Sequence, residues 1–221
     1  HPFLDGNGRL ARLILDFFLI KYGYLPISIP AKRRLEYFDL YLLHQACGDY
    51  FSAWRAMEDA YKEGKLKAIG VSNFYAHVLV NFVNTVEIKP MVNQVELHPY
   101  YTQEKALETM KYYNVVPEAW APLGGGRYNP FEDEMLKGIA AKYNKSVGQV
   151  ILRWDIQRGV VVIPKSTHVE RIKENIDVFD FELNEEEMKQ ISSLDMGYSG
   201  SRAKHFDVEF VEMCLAKKIH D

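Results

Sequence analysis

LKAIGVSNFYAHVLVNFVNTVEIKPMVNQVEL, residues 66–97, is the stretch whose reading decides the fold. Two short runs rich in branched apolar residues, LKAIGVSN (66–73) and MVNQVEL (91–97), flank a helical run near AHVLVNFVN (76–84). A strand, a helix and a second strand in this order form a βαβ unit, with parallel strands covered on both faces. The same alternation extends outward in both directions. Upstream stand the strand YFDLYLLH (37–44) and a helix through AWRAMEDAYKEG (53–64). Downstream follow a helix over EKALETMKYY (104–113), the strand VVPEAWAP (115–122) and helices over FEDEMLKGIAAKY (131–143) and SVGQVILRWDIQR (146–158). The strand GVVVIPKS (159–166) and the helix HVERIKEN (168–175) complete five βα units.

With Asp39, Lys67, Met91, Val115 and Val160 as strand markers, the intervals are 28, 24, 24 and 45 residues, and the last has room for an extra helix. Such a period fits a (β/α) barrel or a doubly wound sheet, and periodicity alone does not choose between them. No G-x-G-x-x-G opens the first helix, so the Rossmann fingerprint is missing. Polar and small residues cluster where each strand ends: His44, then Ser72 and Asn73, Gln94 and Glu96, Pro122 and Gly124, Lys165 and Ser166. In a barrel these ends converge on one ligand site.

Composition is that of a globular protein, with 48% hydrophobic and 26% charged residues and a formal net charge of −3. That balance gives no broad positive field, so no nucleic acid is expected as a partner. The longest apolar run, LILDFFLI (13–20), is interrupted by Asp16 and too short to span a bilayer, so no membrane is expected either. Two cysteines, Cys47 and Cys214, cannot build a disulfide framework or a cysteine-rich zinc site. A reducing, cytoplasmic setting is the expectation, with the reservation that the chain opens on His1 and an upstream targeting segment stays open.

Several of these runs together resemble the aldo-keto reductases, of the kind that reduces sugar-derived diketones such as 2,5-diketogluconate and small aldehydes. The likeness is carried by DLYLLHQ (39–45), AWRAMEDAYKEGKLKAIGVSNF (53–74), MVNQVELHPYY (91–101), PEAWAPLG (117–124) and VVIPKSTHVERIKENIDVFDFEL (161–183). It implies an α/β fold in which residues 37–221 form a partial (β/α)8 TIM barrel, the last five βα units, lacking the first three. It also implies hydride transfer from NADPH to a small-molecule carbonyl substrate. By the resemblance Ser72, Asn73 and Gln94 would hold the nicotinamide carboxamide, and Trp120 would stack on the ring, with Pro122, Leu123 and Gly124 beside it. Lys165, Ser166, Thr167 and Arg171 would hold the 2′-phosphate at a helix N-terminus, which selects NADP(H) over NAD. Glu174 and Asn175 would meet the adenosine end. Plainer readings stand beside these: Trp120 as a core aromatic, and Arg171 with Glu174 as an exposed i,i+3 pair.

His44 corresponds to the histidine that orients the substrate carbonyl in the family, though a lone histidine after a buried strand is equally well structural. Its usual partners, an aspartate, a tyrosine and a lysine, belong to strands that precede this one. Activity is therefore expected to be impaired, because loss of a general acid costs on the order of 10²- to 10⁴-fold in rate. Five parallel strands do not close a barrel, and self-association through open sheet edges is the expected result.

Residues 1–36 read differently. HPFLDGNGRLAR (1–12), continued by GYLPISIP (23–30), is similar to the signature of Fic-family nucleotidyltransferases, and an amphipathic helix follows from Arg9 to Tyr22. The resemblance implies His1 as the base and Asp5 as a Mg ligand. It makes Gly6, Asn7 and Gly8 a phosphate nest, and Arg9 and Arg12 phosphate contacts. The alternative function is thus protein adenylyl transfer from ATP with Mg; otherwise no metal is expected. A third reading is a non-catalytic chimera of two fragments joined near RRLEYFDL (33–40).

Overall fold

The computed structural model of the chain describes residues 39–200 and 207–216. The Fic-like residues His1, Asp5, Gly6, Asn7, Gly8, Arg9 and Arg12, and the helix expected between Arg9 and Tyr22, lie outside the described residues. The strands are β1 (Tyr41–Leu43), β2 (Ile69–Ser72), β3 (Val92–Glu96), β4 (Val116–Trp120) and β5 (Val161–Val162). They hydrogen-bond in chain order, and the pairs β1–β2, β2–β3 and β4–β5 are all parallel. Chain-order parallel strands joined through helices are the topology that the βαβ reading of residues 66–97 anticipates.

The described chain divides into two compact units, one of residues 39–95, 104–116 and 207–216, the other of residues 96–103 and 117–200. In the first unit, helix α1 (Tyr50–Lys62) starts three residues before the run read from the sequence. Asp49 decides this, because its side chain accepts from the Ser52 amide at 3.0 Å and satisfies an otherwise orphaned donor. Helices α2 (Ala76–Thr85) and α3 (Glu104–Tyr113) fall where the apolar spacing places them. Phe82 on α2 gathers Phe74, Trp54 and Phe51 at ring separations of 4.9, 5.1 and 5.4 Å. The buried Trp54 indole donates to Glu58 Oε1 (3.1 Å) and to the Ile88 carbonyl (3.0 Å). Glu58 in turn accepts from the Ile88 amide at 2.7 Å, so this buried carboxylate is not left without donors. At Gly70 a Cβ would fall 2.6 Å from the Val92 carbonyl oxygen and 2.7 Å from Leu42 Cδ2, so the packing of β2 between its neighbours requires glycine.

In the second unit the sequence reading of one helix over 131–143 is corrected. Pro130–Glu132 is a separate 3-10 turn, and helix α4 runs over Glu134–Tyr143. Asp133 separates the two, since its extended backbone leaves its carboxylate free to accept from the Leu136 amide at 3.0 Å. Asn144 ends α4 in the left-handed conformation, and Ser146 with Gln149 forms a capping box at the start of α5 (Val147–Gln157). Helix α5 carries the centre of this unit: Val150, Ile151, Leu152 and Trp154 are fully buried. Helix α6 (Val169–Ile176) follows β5, and α7 (Glu185–Ser192) packs on α4 and α5.

Helices α7 and α8 (Val208–Ala216) were not anticipated. The α7 run EEEMKQIS is mostly polar, and apolar periodicity is blind to it. Its signal was the capping box of Asn184 and Glu187, three residues apart. Among the described residues no helix is long and apolar enough to cross a membrane.

Candidate functional site

Two groups of side chains, one in each unit, hold most of the residues expected from the sequence. In the first unit β2 and β3 place Ser72 opposite Gln94 in register. The Ser72 hydroxyl and the Asn73 amide both donate to the Gln94 carbonyl, each at 2.9 Å. Asn73 sits at φ 60°, a left-handed conformation that asparagine tolerates better than most residues. Its Nδ2 donates to the Ser72 hydroxyl (3.1 Å) and to the His44 carbonyl (3.4 Å), and its Oδ1 accepts from the Tyr75 hydroxyl at 3.2 Å. His44, Ser72, Asn73 and Gln94 are therefore one hydrogen-bonded group. His44 joins it through its backbone, and its side chain is exposed. The sequence reading missed Asn93, whose buried amide clamps Phe74 by accepting from its N–H (3.4 Å) and donating to its carbonyl (2.8 Å).

In the second unit, the loops after β4 and β5 enclose a cavity of about 520 Å³. Of the expected residues, Pro122, Leu123, Lys165, Ser166, Arg171, Glu174 and Asn175 line it. Trp120, Gly124 and Thr167 are not in its lining; Trp120 closes β4, and Thr167 is exposed. The sequence reading missed the remainder of the lining: Ala121, Gly125 and Gly126, then Phe131, Ser146 and Gly148, and Ile163 and Pro164. Phe131 is a large apolar ring left exposed beside this cavity, a signal visible only once Pro130–Glu132 is known to be a turn.

The charges of this cavity come from the β5–α6 connection, with Lys165, and from α6 itself, with Arg171 and Glu174. Ser166 is buried, and its hydroxyl accepts from the His168 amide at 3.1 Å and donates to the His168 carbonyl at 3.3 Å, which shapes the turn into α6. An i,i+3 ion pair does form on α6, between Lys173 and Glu170 at 3.0 Å, while Arg171 and Glu174 face the cavity instead. Two cations, Lys165 and Arg171, near the N-terminus of α6, against the single carboxylate of Glu174 further along it, suit a phosphorylated ligand. Among the described residues no group of three His, Cys, Asp or Glu side chains stands where it could hold a metal ion.

Beside Trp120 lies a buried carboxylate. Glu96, the last residue of β3, is 1% exposed and receives His98 Nε2 at 3.2 Å, Arg127 Nη2 at 2.7 Å and the Ser199 hydroxyl. Burial raises its pKa, but the bonds from His98 and Ser199 and the charge of Arg127 outweigh that, and the group is held below its ordinary range. The Arg127 guanidinium also lies 5.5 Å from the Trp120 ring centroid.

Comparison with known proteins returns one family over this region. The profile of the aldo/keto reductase family matches residues 31–196. Glyoxal reductase of Bacillus subtilis (strain 168) is 52% identical over 162 residues, covering 73% of this chain and 58% of that protein. Methylglyoxal reductase DkgA of Escherichia coli (strain K12) is 39% identical over 169 residues, covering 75% of this chain and 62% of that protein. Among solved structures, an aldo-keto reductase from a Medee basin deep-sea metagenome library superposes with a TM-score of 0.71 at 44% identity, over 74% of this chain and 61% of that one. An aldo-keto reductase complexed with NADPH superposes with a TM-score of 0.73 at 29% identity, over 78% and 58% respectively. The chain thus spans 58% of the length of glyoxal reductase, less than two thirds of a relative that it matches closely in sequence.

Proposed function

This chain belongs to the aldo/keto reductase family, and we propose that it binds NADP(H) in the cavity beside α6 as part of an oxidoreductase acting on small carbonyl compounds. The observation that carries the reading is the convergence of Lys165, Ser166, Arg171 and Asn175 on one cavity of about 520 Å³, which a glycine-rich loop also lines. The donor set fits the cofactor: two permanent cations for a phosphate group, neutral donors for a ribose, and an apolar wall at Phe131 and Ile163 for a base.

Residues 37–221 would then be the last five βα units of a (β/α)8 barrel, and residues 1–36 a separate segment. NADPH, once bound, supplies a hydride to a carbonyl carbon. The chain's own residues do the positioning. In the first unit Ser72, Asn73 and Gln94 would present donors and acceptors to a carboxamide and His44 an imidazole N–H to a carbonyl oxygen; in the second, Trp120 would present a flat apolar face to a ring. Glyoxal and methylglyoxal reduction, named for two relatives, mark small dicarbonyls as the substrate class to try first, ahead of sugar-derived diketones.

By the family resemblance, the tyrosine that protonates the carbonyl oxygen, with its aspartate and lysine, would come from strands that precede β1 in the barrel. The expected turnover of these 221 residues is accordingly low. The test is a fluorescence titration of the chain with NADPH, NADH and ATP plus Mg. NADPH alone should quench tryptophan emission saturably; a flat response to NADPH would end this reading, and labelling of protein by ATP would replace it.

A further inference from the structure

The loop from Ala121 to Tyr128 supplies Ala121, Pro122, Leu123, Gly125 and Gly126 to one wall of the cavity. Two backbone bonds shape it, from the Gly124 amide to the Ala121 carbonyl (2.8 Å) and from the Arg127 amide to the Gly124 carbonyl (3.1 Å), and beyond these Gly124, Gly125 and Gly126, at φ 81°, 58° and 75°, add little stiffness. Glycine enters that region without steric cost and leaves it as easily, so the loop needs an external restraint to hold one shape.

Arg127 provides one. Its Nη2 donates to Glu96 Oε1 at 2.7 Å, and its guanidinium rests 5.5 Å from the Trp120 ring centroid. Its Nη1 and Nη2 lie 3.2 Å from the point where a Cβ on Gly125 would stand, so the arm folds back across the loop that it ends. The acceptor is itself rigid: Glu96 is 1% exposed, belongs to a strand, and is held from other sides by His98 Nε2 and by the Ser199 hydroxyl. A charge-assisted bond from a half-exposed arginine to a carboxylate so confined fixes the donor's position, and with it the backbone carrying the donor.

We propose that Arg127 is a positioning residue: through its pairing with Glu96 it holds the glycine loop as the fixed wall of the cavity and so sets how long a dinucleotide stays there. The proposal rests on the reading of that cavity as a cofactor site. An ion pair with a purely structural task would change stability when removed, yet leave the loop and the ligand's residence unaltered.

Two variants and two measurements separate these cases. Arg127→Met removes the charge while keeping much of the side chain's bulk, and Arg127→Lys restores a cation without the planar fork. Hydrogen exchange of the amides from Ala121 to Tyr128 reads the loop directly, with or without any ligand. In Arg127→Met those amides should exchange faster while those of α4 and α5 keep their rates, and Arg127→Lys should fall between. The Kd for NADPH should rise about tenfold in Arg127→Met, carried by the dissociation rate. Glu96→Gln should act in the same direction, and the double variant should be no worse than the more severe single one.

Unchanged exchange in the loop overturns the proposal whatever NADPH does. Faster exchange with an unaltered Kd also overturns it, because the loop would then move without consequence for the cavity. If the unmodified chain fails to bind NADPH, the cofactor reading fails instead, and the exchange rates still decide whether Arg127 holds the loop.

Discussion

Ser72 and Gln94 face each other across the parallel register of β2 and β3, and the Ser72 hydroxyl donates to the Gln94 backbone carbonyl at 2.9 Å. The same hydroxyl oxygen accepts from Asn73 Nδ2 at 3.1 Å, so one small side chain ties two expected cofactor ligands together. Ser72→Ala removes both bonds at a buried position and should destabilise the fold by about 1–2 kcal/mol. The expected reading is a lower urea midpoint with an unchanged m-value; a midpoint equal to that of the unmodified chain would show the pairing to be incidental.

Lys165 and Arg171 line the same cavity and should separate the phosphorylated cofactor from its plain counterpart. Arg171→Met and Lys165→Met should each weaken NADPH by roughly 10- to 100-fold, the range for a lost bond to a charged group, and leave NADH within about twofold. Equal losses for both cofactors in a side-by-side titration would move the 2′-phosphate away from these residues.

Gly70 has no room for a side chain between β1 and β3. Gly70→Ala would press a methyl carbon against the Val92 carbonyl at 2.6 Å, and backbone yields poorly. A loss of about 1–3 kcal/mol is expected in chemical denaturation. Gly64→Ala is a useful control, because its surroundings are open and any cost there comes from its φ of 75° alone.

Asp155 is fully buried on α5, with Arg158 Nη1 3.4 Å from one oxygen. Burial pushes its pKa well above the ordinary value, and the Arg158 charge only partly opposes this. A carboxyl whose folded pKa is raised contributes fully to stability below its unfolded pKa of about 3.9, and loses that contribution as pH rises through the folded value. The unmodified chain should therefore lose stability from about pH 4 upward relative to Asp155→Asn, whose side chain carries no charge to bury. Unfolding free energies of both chains across this range should diverge as pH rises; parallel curves would contradict the assignment.

The aromatic and branched runs were enough to place all five strands and six of the eight described helices, because buried parallel strands and amphipathic helices write their periods into the chain. Helix α7 escaped because its eight residues are mostly polar and its start is marked by a cap alone. The start of α4 escaped because Asp133, three residues past Pro130, acts through one hydrogen bond that no hydrophobic period reveals.

What the sequence by itself determined is the family, the strand-helix order and the identity of seven of the fifteen cavity residues, since short motifs with fixed spacing carry all three. What only the tertiary structure decided is the use each residue is put to. It turned the Ser72 and Asn73 side chains toward each other and toward the backbones of Gln94 and His44. It aimed Arg171 at the cavity, added Phe131 and Ser146 to its lining, and joined Arg127 to Glu96. Those outcomes depend on distances between residues far apart in the chain. A hydrogen bond or an ion pair falls off within a few ångströms, a scale that periodicity along one chain does not resolve.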